Sequence, residues 1–291
     1  MRWTPGGSDE DIEDRRDESG GGGMSFGGFG PHLGIGGTLV LLVLSFVFKQ
    51  DFFALFSGAP SGSPSASVGT RSAVDPSRNA GEQNEVEFVK FVINDVQATW
   101  DKLLPRSGVP YHHAKLVLFR DLVQSACGRA QAATGPFYCP GDERVYIDLS
   151  FYNELKTRFG APGEFAQAYV LAHEVGHHVQ KLLGIEGKVM QAQSRNPGAR
   201  NRLSVDLELQ ADCFAGVWGK STEQRKLLDP NDVPEGLRAA AAVGDDRLQK
   251  MATGHVSPES FTHGSSAQRT HWFQRGFESG QVSACNTFTQ N

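Results

Sequence analysis

The sequence has no excess of basic residues, since 28 Lys and Arg stand against 33 Asp and Glu among its 291 residues. The basic residues are scattered and do not alternate with aromatic ones, which excludes the nucleic-acid-binding classes that need a basic surface. A repeat of solenoid length is also missing. The four cysteines include no CxxC pair, the spacing typical of a structural zinc site. With 39% hydrophobic residues, the composition is that of an ordinary globular protein.

One stretch that is present, LAHEVGHHVQ, carries metal-binding chemistry. Apolar residues recur around it at spacings of three and four, between Pro162, typical of a helix start, and Gly184, typical of a helix end. On the predicted helix His173 and His177 lie one turn apart on one face, so each can give a ring nitrogen to one zinc ion. Glu174 can then reach a water at that ion as a general base. A chance match on an amphipathic helix is the alternative, and a third ligand is needed to decide.

The three-histidine metzincin class is excluded, because Gln180 and Leu183 stand where its pattern HExxHxxGxxH requires other residues. A site with two His and one Glu takes a carboxylate from a second helix, and SVDLELQADCFAGVWGK has helical periodicity. There Glu208 and Asp212 share one face at i and i+4. We predict Glu208 as the third ligand and Asp212 as the acceptor of the spare ring N–H of a zinc-bound histidine. Asp206 points away from Asp212 and is interpreted as solvated.

HEVGHHVQ followed by ELQADCFAG resembles the gluzincin pattern HExxH…ExxxD. More narrowly, the chain resembles the bacterial neutral zinc metallopeptidases of the YpfJ-like group, which GPFYCPGDERVYIDL and THGSSAQRTHWFQRGFESG also match. The resemblance covers nearly the whole chain. It implies a zincin-like fold, one Zn²⁺ per chain, His173, His177 and Glu208 as ligands, and Glu174 as base. It implies an activity class more firmly than a substrate, because members are mostly assigned by motif.

A peptidase also needs a group that stabilises the oxyanion developing on the scissile carbonyl. His263 precedes a Gly-Ser-Ser turn that caps the next helix, a loop position suited to entering a cleft. In related gluzincins a His and an Arg at similar spacing act there, so the resemblance implies His263, with Arg269 helping. An ion pair with a surface acid is the alternative for Arg269. His271 is expected to pack beside Trp272, and His178 is expected to lie away from the site.

The order of the remaining elements indicates the fold class. EVEFVKFVINDVQATWDKLL has one apolar face and predicts a helix, and KLVLFRDLV predicts a strand. GPFYCPGDERVYIDLSF predicts two short strands joined by a turn, and the resemblance implies that an edge strand beside the motif helix binds the substrate backbone. Asp245 and Asp246 interrupt an Ala-rich helical segment and receive no catalytic role. The expected fold is an α+β, zincin-like metalloprotease domain, helix-rich with a small sheet, preceded by one transmembrane helix.

The N-terminal part differs from the rest in composition. MRWTPGGSDEDIEDRRDESGGGG is charged and glycine-rich, which predicts disorder. FGGFGPHLGIGGTLVLLVLSFVF carries no charge and predicts a membrane anchor, with a buried core helix or a signal peptide as alternatives. SGAPSGSPSASVGT predicts a flexible linker. The predicted domains are a disordered cytoplasmic tail (1–31), a transmembrane anchor (32–56), a Gly/Ser/Pro linker (57–83) and a zincin-like metallopeptidase domain (84–291).

The cysteines bear on the cellular location. Cys127 and Cys139 bracket a short loop that a disulfide could close, and a bridge between Cys213 and Cys285 would tie the C-terminal segment to the ligand helix. Two disulfides would place the domain outside the cytoplasm, whereas four reduced thiols are the alternative. Basic residues before the apolar segment lean towards a cytoplasmic N-terminus. The predicted location is the cytoplasmic (inner) membrane, single-pass, with a periplasmic catalytic domain.

The leading functional hypothesis is therefore a membrane-anchored, zinc-dependent endopeptidase that acts on a protein or peptide and on no nucleic acid. A rival hypothesis is a zincin fold that binds metal but serves as a catalytically silent scaffold at the membrane. A soluble cytosolic aminopeptidase is disfavoured only by the predicted anchor and linker. Cleavage of a mixed peptide library separates the first hypothesis from the second.

Overall fold

The computed structural model describes residues 1–18, 76–131 and 135–288 of the chain. The strands are β1 (Ile12–Asp14), β2 (Lys115–Phe119), β3 (Leu122–Ser125), β4 (Gly128–Gln131), β5 (Phe137–Cys139) and β6 (Arg144–Asp148). The helices are α1 (Pro76–Leu103), α2 (Ser150–Thr157), α3 (Glu164–Leu182), α4 (Ile185–Arg195), α5 (Arg200–Gln224), α6 (Asp232–Ala242), α7 (Asp245–Thr253) and α8 (Ser266–Ser279). Helices predominate over small sheets, as predicted for the catalytic domain.

Four strands form a mixed sheet in the order β1-β2-β6-β5, and β3 and β4 form a separate hairpin. β2 lies parallel to both β1 and β6, whereas β5 runs antiparallel to β6 and is an edge strand among the described strands. The central strands β2 and β6 bury Leu116, Val117, Val145 and Ile147 completely. Such continuous apolar runs are typical of strands covered on both faces. The predicted two-strand unit around β5 and β6 is confirmed.

Helix α1 closes one side of the core. Val89, Val92, Val96 and Trp100 recur at helical spacing and are completely buried, because they face the rest of the domain. The helix begins at Pro76, inside the segment predicted as linker and before the predicted boundary at residue 84. Residues 57–75 of that linker lie outside the described residues.

The helices that carry the predicted site pack together on the other side of the core. α3 packs against α5 and α6, and α8 packs against α5. α5 and α8 touch backbone to backbone, since a Cβ atom on Gly276 would lie 1.9 Å from the carbonyl oxygen of Cys213. A Cβ atom on Gly216 would lie 2.1 Å from the carbonyl oxygen of Phe273. The two glycines therefore set the distance between the two helices.

Residues 1–18 lie against the domain, which differs from the predicted disordered tail. β1 pairs with β2, with Ile12 opposite Leu116, and the Trp3 ring packs 5.2 Å from the Phe88 ring. Acids and bases of the segment pair with the domain in Lys90–Asp9 (2.6 Å), Arg144–Glu13 (3.0 Å) and Arg16–Glu82 (2.7 Å). Composition predicted disorder because the segment has few apolar residues of its own. The domain supplies the strand, the aromatic ring and the opposite charges that the segment lacks. Residues 19–31 of the predicted tail lie outside the described residues.

The predicted transmembrane helix and the single-pass inner-membrane location are corrected. No helix within the described ranges is long and apolar enough to cross a bilayer. The predicted anchor, 32–56, lies outside those ranges. The predicted anchor therefore no longer argues against the aminopeptidase alternative.

Both predicted disulfides are present, and the alternative of four reduced thiols is wrong. Cys127–Cys139 joins the turn between β3 and β4 to the end of β5. Cys213–Cys285 joins α5 to the C-terminal segment, and both of its cysteines are buried in the core. The second bridge lies directly beside Asp212 and therefore holds the C-terminal segment against the predicted site.

Candidate metal centre

Helix α3 presents the HExxH motif from the middle of the domain. It begins after Gly163 and ends at Leu182, close to the predicted limits, and Gly184 follows in the left-handed conformation. A Cβ atom on Gly176 would lie 3.0 Å from the carbonyl oxygen of Ala211 on α5, closer than side chains normally approach. Glycine at this position therefore allows α3 and α5 to approach each other beside the predicted ligands.

The three predicted ligands converge between the two helices. The Nε2 atoms of His173 and His177 are 3.2 Å apart. The Oε2 atom of Glu208 lies 3.2 Å from Nε2 of His173, and its Oε1 atom lies 3.5 Å from Nε2 of His177. Among the described residues, these three form the group whose donor atoms are close enough to hold a metal ion. The predicted set of two histidines and one glutamate is thus brought together.

The spacing and chemistry of these donors fit zinc. Ligand atoms at the corners of a tetrahedron about 2.0–2.1 Å from a zinc ion lie roughly 3.3 Å apart, close to the observed separations. Two imidazoles and one carboxylate are also the protein ligands of a catalytic zinc site that keeps a fourth position for water or substrate. His173 is 6% exposed and Glu208 is partly buried, so the donors lie at the bottom of a shielded site.

Each histidine has its other ring nitrogen engaged. Nδ1 of His173 is 2.9 Å from Oδ1 of Asp212, as predicted. Nδ1 of His177 is 2.9 Å from Oε1 of Gln180, a residue that the sequence analysis did not assign. Both acceptors require a proton on Nδ1, so Nε2 is the nitrogen of each ring that is left to bind a metal. Gln180 follows His177 at i+3 on one helix face, a spacing that would have identified it.

Asp212 is the centre of a buried hydrogen-bond network. Nε and Nη2 of Arg269 each donate to one of its oxygens at 2.9 Å, and the Tyr169 hydroxyl donates to Oδ1. Arg269 is 4% exposed and was expected either to help with the oxyanion or to pair with a surface acid. In the structure its guanidinium donates to Asp212 and to the Tyr169 hydroxyl, which lies behind the ligand His173. The contact between Arg269 and Asp212 depends on the packing of α8 against α5. Helical spacing within either segment could not predict it.

The electrostatics of the ligands favour a bound cation. Burial would lower the pKa of His173, but Asp212 and Glu208 outweigh it and raise that pKa to about 10. Burial would raise the pKa of Glu208, yet His177 and His173 hold it well below its usual value. Burial lowers the pKa of His177. Two ionised carboxylates thus surround two imidazoles, and a metal ion that binds there displaces a proton.

Glu174 lies next to the ligands without belonging to them. Its side chain is 8% exposed, and burial raises its carboxyl pKa to about 7. The backbone N–H of Tyr138 on β5 faces this carboxylate and offsets part of the rise in its pKa. A carboxyl group with a pKa near neutrality can both accept and return a proton, which is what a general base in hydrolysis has to do.

His263 lies in the loop before α8 and is held by Asp245. Nδ1 of His263 is 3.1 Å from Oδ1 of Asp245, and Oδ2 accepts the backbone N–H groups of Thr262, His263 and Gly264. Burial would lower the pKa of His263, but Asp245 and then Glu208 raise it. Asp245 could not be assigned a role from the sequence, because the backbone N–H groups that it accepts belong to residues 17 to 19 positions further along the chain. Ser265 caps α8 through a capping box with Gln268, as the Gly-Ser-Ser turn predicted.

The other residues considered lie away from the donors. Asp206 forms an ion pair with Arg202 at 3.4 Å, and its side chain is 14% exposed, so it is less solvated than predicted. His271 packs beside Trp272 with their rings 5.8 Å apart, as expected. His178 is completely buried and bonds to β5 and to a loop carbonyl rather than to the metal ligands.

Two histidines from an HExxH helix and a glutamate from a second helix are the ligand set typical of a zinc-dependent hydrolase. Residues 1–288 match the family described as "Putative neutral zinc metallopeptidase", and the chain belongs to that family. The protein is accordingly a zinc metallopeptidase, and its substrate is a peptide or a protein. The family resemblance derived from the sequence is confirmed.

The chain is similar in sequence to proteins of other bacteria. The uncharacterised protein YpfJ of Escherichia coli strain K12 is 47% identical over 291 residues, which cover 99% of each chain. The uncharacterised protein Rv2575 of Mycobacterium tuberculosis strain H37Rv is 44% identical over 207 residues, 67% of this chain and 68% of its own. No solved structure matches the chain.

Proposed function

We propose that the protein is an endopeptidase in which His173, His177 and Glu208 hold the zinc ion and Glu174 is the general base. The observation that carries the proposal is the convergence of the three ligands, with the buried Glu174 carboxyl group next to His173 on the same helix. When bound, zinc supplies Lewis acidity to a water molecule and to the scissile carbonyl. Glu174 takes the proton from that water and returns it to the leaving amine.

His263 is proposed to stabilise the oxyanion of the scissile carbonyl. Asp245 holds its Nδ1 atom and raises its pKa, so the ring is disposed to carry a proton and a positive charge. Its electrostatic interaction with Glu208 supports a position near the metal ligands. Arg269 has no direct part in this step, because it pairs with Asp212. Asp212 in turn orients His173 through Nδ1.

The β5 edge supports an extended substrate and hence cleavage within a chain. In an antiparallel strand, the N–H and C=O of one residue point to the same side. The N–H of Tyr138 points to Glu174, so its carbonyl also faces the active-site edge of the sheet. A peptide that pairs with this edge can continue past both ends of the three-residue strand.

The test measures zinc content and peptide cleavage on the full chain, because residues 1–18 are part of the domain. Glu174→Gln is expected to keep one zinc ion per chain and to cleave a mixed peptide library about 10²- to 10⁴-fold more slowly. Glu208→Ala is expected to lose or greatly weaken zinc binding. Glu223→Gln, an exposed change on α5, serves as the control and should behave as the wild type.

Each outcome has a distinct meaning. Full cleavage by Glu174→Gln would contradict its assignment as the base. Full zinc retention by Glu208→Ala would mean that another residue completes the site. A wild-type protein that holds zinc and cleaves nothing would support the scaffold hypothesis instead.

A further inference from the structure

One face of α3 holds the edge strand β5, next to the face that holds the metal ligands. Glu174, His178 and Lys181 follow each other at i, i+4 and i+7, so they form a single stripe along the helix. Each contacts β5 or the turn that follows it. His173, His177 and Gln180 form the neighbouring stripe, which faces the metal. One face of α3 therefore holds β5, and the adjacent face holds the metal ligands.

His178 lies at the centre of the strand-facing stripe and is completely buried. Its Nε2 atom is 2.7 Å from the carbonyl oxygen of His112, which can only accept, so Nε2 carries the proton. Nδ1 then has a lone pair and accepts from the Tyr138 hydroxyl at 2.9 Å. Both ring nitrogens are satisfied in one neutral tautomer, and burial lowers the pKa of His178 to about 4. The geometry therefore orients the Tyr138 hydroxyl as a donor.

Tyr138 is attached to α3 through its side chain. Its hydroxyl donates to His178, and its backbone N–H faces Glu174, one helical turn before His178. The Tyr138 and His178 rings also meet edge to face, with centroids 5.4 Å apart. The hydrogen bond and the ring contact to one helix residue together fix the position of Tyr138, and hence of β5, relative to that helix.

Lys181 completes the attachment beyond the end of β5. Its ammonium group donates to the carbonyl oxygen of Pro140 and lies 3.1 Å from Oε1 of Glu143. The other carboxylate oxygen of Glu143 is 2.7 Å from Nε2 of His112, whose carbonyl accepts from His178. The turn after β5 and the loop that carries His112 are therefore attached to the same stripe.

We infer that His178 is a positioning residue that, through the Tyr138 hydroxyl, sets the register of the substrate-binding edge of β5 over Glu174 and the metal ligands. The inference rests on the proposed function, since it assigns His178 a role only if a peptide pairs with β5. The two adjacent histidines of the motif helix, His177 and His178, therefore have different roles. His177 binds the metal, and His178 holds the strand to which the peptide binds.

The test uses two hydroxamates that bind zinc in the same way but differ in their contact with the strand. Acetohydroxamate reaches the zinc alone, whereas an N-acyl dipeptide hydroxamate also offers a peptide backbone to β5. Tyr138→Phe in the full, zinc-loaded protein removes only the hydroxyl that bonds to His178. It is expected to weaken binding of the dipeptide hydroxamate about tenfold, while acetohydroxamate affinity and zinc content remain unchanged.

Tyr111→Phe is the matched control. The Tyr111 ring also packs against His178, with centroids 5.7 Å apart, but its hydroxyl bonds to Gln97. This variant should bind both hydroxamates as the wild type does, although it also loses a buried hydroxyl. His178→Gln, which can still donate to the His112 carbonyl and accept from Tyr138, should retain most of the difference in affinity between the two hydroxamates.

The inference is overturned if Tyr138→Phe binds the dipeptide hydroxamate normally, or if both hydroxamates weaken equally. It is also overturned if Tyr111→Phe has the same effect, because the loss would then reflect general destabilisation. Failure of the proposed function looks different, since the wild-type protein would then hold no zinc, or would hold zinc and cleave no peptide, and neither result depends on Tyr138.

Discussion

At the level of single residues, the metal centre is defined as much by the atoms behind the ligands as by the ligands. His173 and His177 each carry a proton on Nδ1 because Asp212 and Gln180 accept it. Gln180 is itself held, since its amide nitrogen donates to the carbonyl oxygen of Leu207 at 2.7 Å. The second ligand is therefore oriented by a neutral amide that is anchored to α5.

Replacement of Gln180 by Leu should weaken zinc binding without removing a ligand. The variant keeps the volume of the side chain but leaves Nδ1 of His177 without an acceptor, so the ring loses its fixed tautomer and orientation. We expect the zinc dissociation constant to rise about 10- to 100-fold, measured by competition with a chelator of known affinity. Gln191→Leu, an exposed change on α4, is the control. Equal zinc affinity in both variants would contradict the role given to Gln180.

The sequence was sufficient to predict residues that act within one helix or at a motif spacing. His173 with His177, and Glu208 with Asp212, follow from the i, i+4 geometry of two helices, and the structure brings these four side chains together. Pairs between distant elements could not be predicted in this way. The contact of Arg269 with Asp212 spans 57 residues, and that of Tyr138 with His178 spans 40.

At the level of elements, the crossing of α5 and α8 determines where Arg269 lies. The two backbones meet at Gly276 and Cys213, with no room for a side chain on Gly276. Cys213 also carries the buried disulfide to Cys285 and adjoins Asp212. Any separation of the two helices therefore acts on the network behind His173.

Gly276→Ala should destabilise the protein and also weaken the metal site. The added methyl group would lie 1.9 Å from the Cys213 carbonyl oxygen, so α8 has to move away from α5. We expect the free energy of unfolding to fall by about 1–3 kcal/mol, measured by urea denaturation, together with weaker zinc binding. Gly187→Ala on α4 meets no atom within 4 Å and should be neutral or stabilising by about 0.5–1 kcal/mol. Equal stability of the two variants would contradict this account of the crossing.

Periodicity predicted the helices α1, α3 and α5 well, because their apolar residues face one core. The strand β1 was not predicted, since the sequence IED has a single apolar residue and lies in a charged segment. Its pairing depends on the exposed edge of β2 and on counter-charges of the domain. Disorder predicted from composition fails where a different part of the chain supplies the partners.

At the level of the whole molecule, the N-terminal segment is bound largely through charge. His113 illustrates this, because its Nδ1 atom is 2.5 Å from Asp11 of the segment and its Nε2 atom is 3.0 Å from Asp101 of α1. Lys115 lies 3.0 Å from the other oxygen of Asp11. Burial would lower the pKa of His113, but the hydrogen bonds and charges of Asp101 and Asp11 raise it.

The docking of this segment should weaken at alkaline pH. Since the folded-state pKa of His113 is raised, its stabilising effect is fully present below the unfolded pKa of about 6.5 and is lost as the pH rises through the folded value. Urea denaturation between pH 6 and 9 should show a declining difference in stability between the wild type and His113→Asn. A difference that is constant or grows with pH would contradict the assignment.

The position of β1 in the sheet also has a consequence for the order of folding during synthesis. Asp11 and its partner Lys115 are separated by 104 residues, and β2 in turn needs β6 beside it. A ribosome has to translate past both central strands before the first strand has an edge to join. Contacts this far apart in sequence form slowly because a large loop has to close first. The earliest part of the chain to be made is thus among the last to reach its native place, and until then its charges are free to engage other molecules.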